Sequence, residues 1–464
     1  MEITPKIRAE LEGYLKQAGL SMTEFGHIAG MNPGTVSGII TGNRTISVHQ
    51  LDRITLGMNL PTDHFYERYI EESVIDAPLN WKRISPFLYR CVQFQRVDCL
   101  QKVVSVLLDN LGYIPYLFAL AEDCYEQDYR EAAAYLYENI SEGEKQQHSE
   151  RLALCHYRLF TIAIGKDQNL NFDAAAKFES FVHRLDEVDQ LDGLKDLANV
   201  YRALSQWDKV YKYAKQMGQL GGIYYEMVHN SERKEKEPQK KLSRPLFVYI
   251  AYAELMCANA CDAKGDHEQA LVHLQGYADL SWVKESDPDT LHWLGLFQHW
   301  AKINTYVNKL MSGDVSVLPN YVEYMAGEKY IFNELLNVIE AANRYHIDVD
   351  HILQRFEPQI TAYQEPSPAD IRQQYLPQQY ARFWYKMAKY SLNKGRYSYG
   401  FKCLIDALEK AGTINHVLLI ANCAGLFDCF RAYAAPEILA QYHSTYQEVW
   451  KENDQKDGFA LGSS

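Results

Sequence analysis

The sequence predicts an all-α protein: a small five-helix domain over residues 1–70, followed by a long array of helical repeats over residues 86–452. Three observations predict it. Helical periodicity runs through nearly the whole chain, with no alternating β-branched stretch. Capped, short helices crowd residues 1–70. Beyond them one phrase recurs: an apolar helix, a polar turn, an aromatic or charged residue, and a small or apolar residue three positions later.

Composition bounds the function. A chain of 464 residues is too long for one compact core and implies several domains or an elongated array. Its net charge of −13 excludes a protein that coats nucleic acid or anionic membrane along its length, so any DNA contact must be local. No apolar h-region follows Met1, and the longest apolar run, about Val417 to Phe427, is roughly half a membrane span. The nine cysteines form no Cys-x-x-Cys pair, and Cys257 and Cys261 share a helix face that reads as core. The expectation is a reduced, cytoplasmic chain with no membrane contact.

The N-terminal elements follow in order. Ile7, Leu11 and Leu15 make one stripe of a helix that Gly19 stops. Ser21 and Glu24 form a capping box for a second helix, with Phe25, Ile28 and Ala29 on one side. Gly30 allows a left-handed turn, and Asn32-Pro33 caps and opens a third helix running to about Thr41. Val36, Ile39 and Ile40 face inward from it, and Gly34, Gly38 and Thr41 face outward, flanked by Thr35 and Ser37. Ser47 caps a fourth helix with Leu51, Ile54 and Met58 inward, and a fifth runs from Pro61 to about Tyr69.

The order Ser21, Phe25, Gly30, Val36, Ser37, Ile39, Gly42, Ser47, Leu51, Leu60 resembles the phage-repressor-type (XRE) helix-turn-helix domain over about residues 5–70. The resemblance implies that the helix at 33–41 enters the major groove of double-stranded DNA while the helix at 22–29 lies across the backbone. Thr35, Ser37, Thr41 and Asn43 are then the candidates for base edges or phosphates, and Arg44 for a phosphate. Three features depart from the family. Met22 stands where a phosphate-binding glutamine is usual, Gly26 stands for an alanine, and the outer arc carries no charge. Residues 1–70 hold six cations against seven carboxylates, so no basic footprint is present. Two readings stand: a weak half-site reader that needs a second copy, or a head that keeps the fold for docking or dimerisation. Two outward glycines cost roughly 0.5–1 kcal/mol each unless something approaches closely.

A linker is expected at 71–85. Beyond it the recurring phrase appears at Asp128/Tyr129/Ala132, Asn171/Phe172/Ala175, Gln206/Trp207/Val210, Gly265/Asp266/Ala270 and Gly395/Tyr397/Gly400. The intervals fit a helix-turn-helix repeat of about 34 residues with irregular insertions. Residues 251–280 resemble a tetratricopeptide repeat (TPR), and 382–412 resemble a second, so the array reads as a TPR-like α-solenoid. Small residues let paired helices approach, and the thirty-four tyrosines mostly fill inter-repeat gaps. The mixed-charge stretch 231–244 and the proline-marked stretch 365–377 read as loops. Residues 453–464 read as a flexible tail.

No phosphate-binding glycine loop, nucleophile elbow or zinc-binding helix motif is present, so no enzyme and no cofactor is expected. The histidines sit singly or in pairs such as His292/His299 and His346/His351; the first pair shares a helix face but has no third ligand nearby, and no metal is expected.

A helix-turn-helix head on a TPR-like body resembles the Rap/Rgg/NprR/PlcR/PrgX group of peptide-pheromone receptors. That resemblance implies a homodimeric transcription regulator whose concave solenoid face takes a short signalling peptide and resets the spacing of the two heads. In that group side-chain amides on inner helices hold the peptide backbone. Asn199, Asn259, Asn304 and Asn337 are the matching candidates, with Asn343, Tyr201 and Tyr252 beside them. The alternative is a TPR-like scaffold that binds a partner protein and uses the head for docking or dimerisation.

Overall fold

The computed structural model describes residues 6–145, 149–230, 242–327, 331–362 and 376–460, with side chains to Lys451. Every regular element among them is helical. The chain divides into two compact units, Met1–Ile162 and Ala163–Ser464.

The first unit opens with α1 (Ile7–Ala18), α2 (Met22–Ile28), α3 (Pro33–Ile40), α4 (Val48–Gly57) and α5 (Tyr66–Ile70). The start and stop signals act as their chemistry requires. Glu24 N–H donates to Ser21 Oγ at 3.2 Å, and the Glu24 carboxylate accepts from Ser21 N–H at 2.8 Å. Asn32 Oδ1 accepts from Gly34 N–H at 2.8 Å, and Gly19 ends α1 at φ 67°. Two details differ from the periodicity. Ile28 is 57% exposed, because the buried arc of this short helix centres on Phe25, Gly26 and Ala29. The fifth helix starts at Tyr66 rather than Pro61, since residues 62–65 close as successive turns.

The segment 71–85 is built differently from a linker. Glu71–Ile75 is a π turn, and Glu72 Oε1 accepts from Ile7 N–H at 2.8 Å. Arg83 donates to the Ser73 and Pro78 carbonyls, both at 2.8 Å. Next come α6 (Trp81–Gln93), α7 (Val97–Leu108), α8 (Ile114–Glu126), α9 (Arg130–Gly143) and α10 (Glu150–Ala163). Tyr66 and Tyr69 of α5 pack on Phe87 of α6, and one apolar core runs from Ile7 to Cys155. Arg90 meets Asp52 at 3.1 Å and Arg96 meets Asp63 at 2.6 Å. The five-helix head and the helices after it therefore share a core.

The second unit begins with α11 (Gln168–Phe178), α12 (Glu187–Ala203), α13 (Trp207–Asn230), α14 (Leu246–Lys264), α15 (His267–Ala278), α16 (Pro288–Met311) and α17 (Leu318–Met325). It continues with α18 (Phe332–Tyr345), α19 (Asp350–Arg355), α20 (Glu357–Thr361), α21 (Leu376–Asn393), α22 (Tyr397–Thr413), α23 (Val417–Phe430) and α24 (Pro436–Ala460). α24 runs through most of the residues read as a tail. The loop readings at 231–244 and 365–377 fall mainly on residues 231–241 and 363–375, outside the described set.

One turn recurs in both units. Gln95, Asp128, Ser205, Gly265, Gly395 and Asn415 are each left-handed. The residue after each donates its N–H to a carbonyl five positions back: Arg96 to Cys91, Tyr129 to Cys124, Gln206 to Tyr201, Asp266 to Cys261, Arg396 to Ser391 and His416 to Ala411, all at 2.8–2.9 Å. This bond closes the first helix of each hairpin and leaves its donor at the start of the second. The helical-repeat character thus rests on a repeated local geometry. The phrase at Asn171 is out of register with it: Asn171 lies inside α11, and its amide bonds Gly165 N–H and C=O, both at 2.9 Å. Asp167, four residues earlier, is the cap.

The second unit also closes on itself. Gln168 N–H donates to Ile414 C=O at 2.8 Å, and Asn415 Nδ2 lies 3.3 Å from both Asp167 carboxylate oxygens. The Gln378 amide donates to the Ala203 carbonyl at the end of α12. Gln168, Gln378 and Asn415 are all buried. Leu246–Lys264 is long and apolar enough to cross a membrane, and 67% of its window is buried inside the protein.

Candidate functional site

The outer side of α3 holds the first candidate group. Thr35 and Ser37 are half-buried, whereas Thr41, Asn43 and Arg44 are exposed. Gly42 turns left-handed at φ 82°, and Arg44 N–H then donates to Gly38 C=O at 3.0 Å. This turn brings the guanidinium back over the helix, where Arg44 Nη1 donates to Thr35 Oγ1 at 3.2 Å. The Thr41 hydroxyl donates to Ser37 C=O at 2.9 Å. The space around the outward glycines is ordinary at Gly38 and tighter at Gly34. A β-carbon on Gly38 would stand 3.5 Å from that of Arg44, and one on Gly34 would stand 3.2 Å from Asn32 Oδ1. Gly26 is stricter still: its β-carbon would meet the Met31 carbonyl oxygen at 2.8 Å, so the alanine usual there does not fit this turn.

Two further arginines join Arg44. Arg8 of α1 donates to the Arg44 carbonyl at 3.4 Å, and Arg53 of α4 donates to the Gly30 carbonyl in the turn before α3. Among the described residues none of the three has a carboxylate partner. Lys16 and Arg68 of the same head are paired with Glu12 and Glu10. Of the four cations left over, Arg8, Arg44 and Arg53 touch α3 or the turns that flank it and Lys6 stands exposed at the start of α1, although residues 1–70 are nearly neutral overall. Sequence reading missed Arg8 and Arg53, which lie on other helices and carry no motif.

The asparagines divide differently. Asn199 Oδ1 accepts from Tyr252 Oη at 2.7 Å, Asn304 Nδ2 donates to Tyr277 Oη at 2.9 Å, and Asn337 Nδ2 donates to Tyr321 Oη at 3.2 Å. Each bond joins two helices. Asn343 donates to Lys386 C=O at 3.1 Å. Asn259 is half-buried, and its side chain makes no hydrogen bond among the described residues. Tyr201, fully buried against Tyr213 and Glu179, is core. Of the histidine pairs, His299 Nδ1 lies 2.5 Å from Tyr324 Oη, and no metal-binding group of three ligands occurs among the described residues.

α12, α14, α16, α18 and α21 pack in succession as the first helices of their hairpins. Asn199 and Tyr252 meet between α12 and α14 of this row, and Asn259 lies seven residues beyond Tyr252 on α14. Near them Asp192 accepts from Lys195 at 2.7 Å, Ser243 at 2.5 Å and Tyr249 at 2.7 Å. On α18 and α21 the side chains are basic: Arg344, Arg382, Lys386 and Lys389 stand around Glu340.

No family model and no curated protein matches this chain. Solved structures that match include a circular tandem repeat protein with novel repeat topology and enhanced subunit contact surfaces. That match is 11% identical, covers 98% of this chain and 89% of that one, and has a TM-score of 0.15. A superposition that loose carries no argument about site or function. The helical-hairpin architecture stands on the chain's own turns and packing.

Proposed function

We propose that the protein is a DNA-binding regulator, with α1–α5 as an XRE-type helix-turn-helix head and α3 as its recognition helix. The inner row of the hairpin array binds a short peptide. The observation that carries the first part is the trio Arg8, Arg44 and Arg53 around α3, none with a carboxylate partner among the described residues. Unpaired arginines beside a helix that exposes Thr41 and Asn43 are arranged as phosphate contacts flanking base readers. Three contacts give modest affinity, so a homodimer binding two half-sites fits this head better than a monomer. The shared core joins the head to the helices α6–α10 that follow it in the first unit, which is what a head answering to the rest of the chain would need.

Selection from a random duplex pool tests this. At low salt the full chain should retain a subset of duplexes, with a log–log salt slope of at least about −3 per head. Arg44→Ala and Arg8→Ala should each reduce the slope by about one without changing the helical circular dichroism. No retention at any salt concentration sinks the DNA reading.

One observation favours the second reading, a TPR-like scaffold whose head serves docking or dimerisation. Leu56 of α4 is 76% exposed and Ile28 of α2 is 57% exposed, a large apolar contribution for so small a head. Leu56→Ser with Ile28→Ser discriminates. Loss of dimer with duplex retention unchanged favours docking, and loss of both favours a head that must pair to read DNA.

A further inference from the structure

The side of α21 that meets α12 and α18 carries a feature that neither the DNA reading nor the asparagine set uses. Gln378, Arg382, Lys386 and Lys389 are spaced four, four and three residues apart, which sets them on one arc of the helix. Both directions of that arc are fixed by contacts. Gln378 reaches the Ala203 carbonyl at the end of α12, and Lys386 pairs with Glu340 of α18 at 2.5 Å. The stripe therefore faces α12 at its start and α18 further along.

Arg382 and Lys389 remain. Among the described residues neither has a hydrogen bond or an ion pair, and both are half-buried. Burial pushes the Arg382 guanidinium below its usual range, with Glu340 opposing, and Glu340 already carries Lys386 and, at 3.9 Å, Arg344. The other neighbour acting on Arg382 is His416, a buried imidazole that offers no negative charge. Across the array, Asp192 is taken up by Lys195, Ser243 and Tyr249. A partly desolvated cation that shares one carboxylate with three other cations, and bonds to none among the described residues, is costly, and a chain of net charge −13 has carboxylates to spare for structural pairing. Leaving this one unpaired makes sense when the anion arrives with a ligand.

We infer that Arg382, supported by Lys389, is the anchor for a carboxylate of a ligand bound on the inner face of the array. This rests on the reading that the face takes a peptide. The guanidinium fork matches a carboxylate in two parallel hydrogen bonds, and Lys389 adds a point charge two turns along. The carboxylate comes from either the peptide's C-terminus or an acidic side chain.

Three fluorescent random heptapeptide pools separate these sources: free-acid peptides lacking Asp and Glu, amidated peptides lacking them, and amidated peptides containing them. The full chain should retain the first or third pool about tenfold more than the second. Arg382→Gln should erase that preference, Lys389→Gln should weaken it, and Lys302→Gln, on another helix, should leave it unchanged. Removing an unpaired half-buried charge should leave the thermal midpoint of Arg382→Gln at or above that of the parent. Equal retention of all pools by parent and Arg382→Gln overturns the anchor and leaves peptide binding standing. If no pool is retained, the peptide reading has failed, and thermal unfolding in succinate against chloride at matched ionic strength decides the anchor. A rise for the parent that Arg382→Gln lacks supports it, and no rise overturns it.

Discussion

Two single residues have consequences that are easily measured. Gly26 sits where a β-carbon would press on a backbone oxygen at 2.8 Å, and a carbonyl held by its own turn has little room to move. Gly26→Ala should destabilise the protein by about 1–3 kcal/mol in urea unfolding, whereas Gly30→Ala should cost about 1 kcal/mol through its positive φ alone. Equal costs would show that the α2–α3 turn yields. His416 is a pH-sensitive residue: burial, with Arg382 adding to it, lowers its pKa to about 4, and its Nδ1 accepts from Leu419 N–H at 3.3 Å. In the unfolded chain the imidazole returns to about 6.5, so between those values the unfolded state binds more protons. The stability His416 allows is therefore complete above about pH 6.5 and falls by up to about 1.4 kcal/mol per unit as pH drops towards 4. His416→Gln should flatten that part of the stability–pH curve relative to the parent; a parallel curve would refute it.

At the scale of elements, the hairpin is the unit, and its two determinants separate cleanly. The turn is local, set by one left-handed residue and one N–H bond five residues back. The closeness of the paired helices is set by small residues, and Gly400 shows it: a β-carbon there would lie 2.7 Å from Leu392 Cγ and 3.0 Å from Leu392 N. Gly400→Ala should therefore force α21 and α22 apart and cost about 1–3 kcal/mol. Gly395→Ala, with open space around it at φ 74°, should cost about 1 kcal/mol. Differential unfolding of the two variants checks the order. The same logic explains which parts of the phrase were readable. Turn residues and small residues obey local chemistry, so Gly265, Asp266, Ala270, Gly395 and Gly400 fell in their predicted places. Asn171 did not, because an asparagine is as good a clasp inside a helix as it is a turn former.

At the scale of the whole molecule, closure of the second unit changes how it can respond to a ligand. An open array adjusts its curvature by small rotations, but this one is tied where α11 and α12 meet α21 and the α22–α23 turn. Any change in curvature must loosen buried polar contacts at that seam. Gln378→Met with Asn415→Gly, which keeps the left-handed turn available, removes both side-chain ties. Amide exchange in α11 and α12 should rise about tenfold or more, with α14 and α15 unchanged. Uniform exchange throughout the unit would mean that the seam is not a separable joint.

The sequence by itself determined the helices, their caps, the hairpin turns and the inward stripes, because each depends on residues within a turn or two of one another. It also placed Thr35, Thr41, Asn43 and Arg44 around one short helix. Only the tertiary structure decided which charges and amides were left free, since pairing joins residues from distant helices. It bonded Asn199, Asn304 and Asn337 to tyrosines, brought Arg8 to the Arg44 carbonyl and Arg53 to the Gly30 carbonyl, and left Arg382 with no hydrogen bond or ion pair among the described residues. It also made residues 71–85 part of a continuous core, because Tyr66, Tyr69 and Phe87 meet through packing that no local periodicity records.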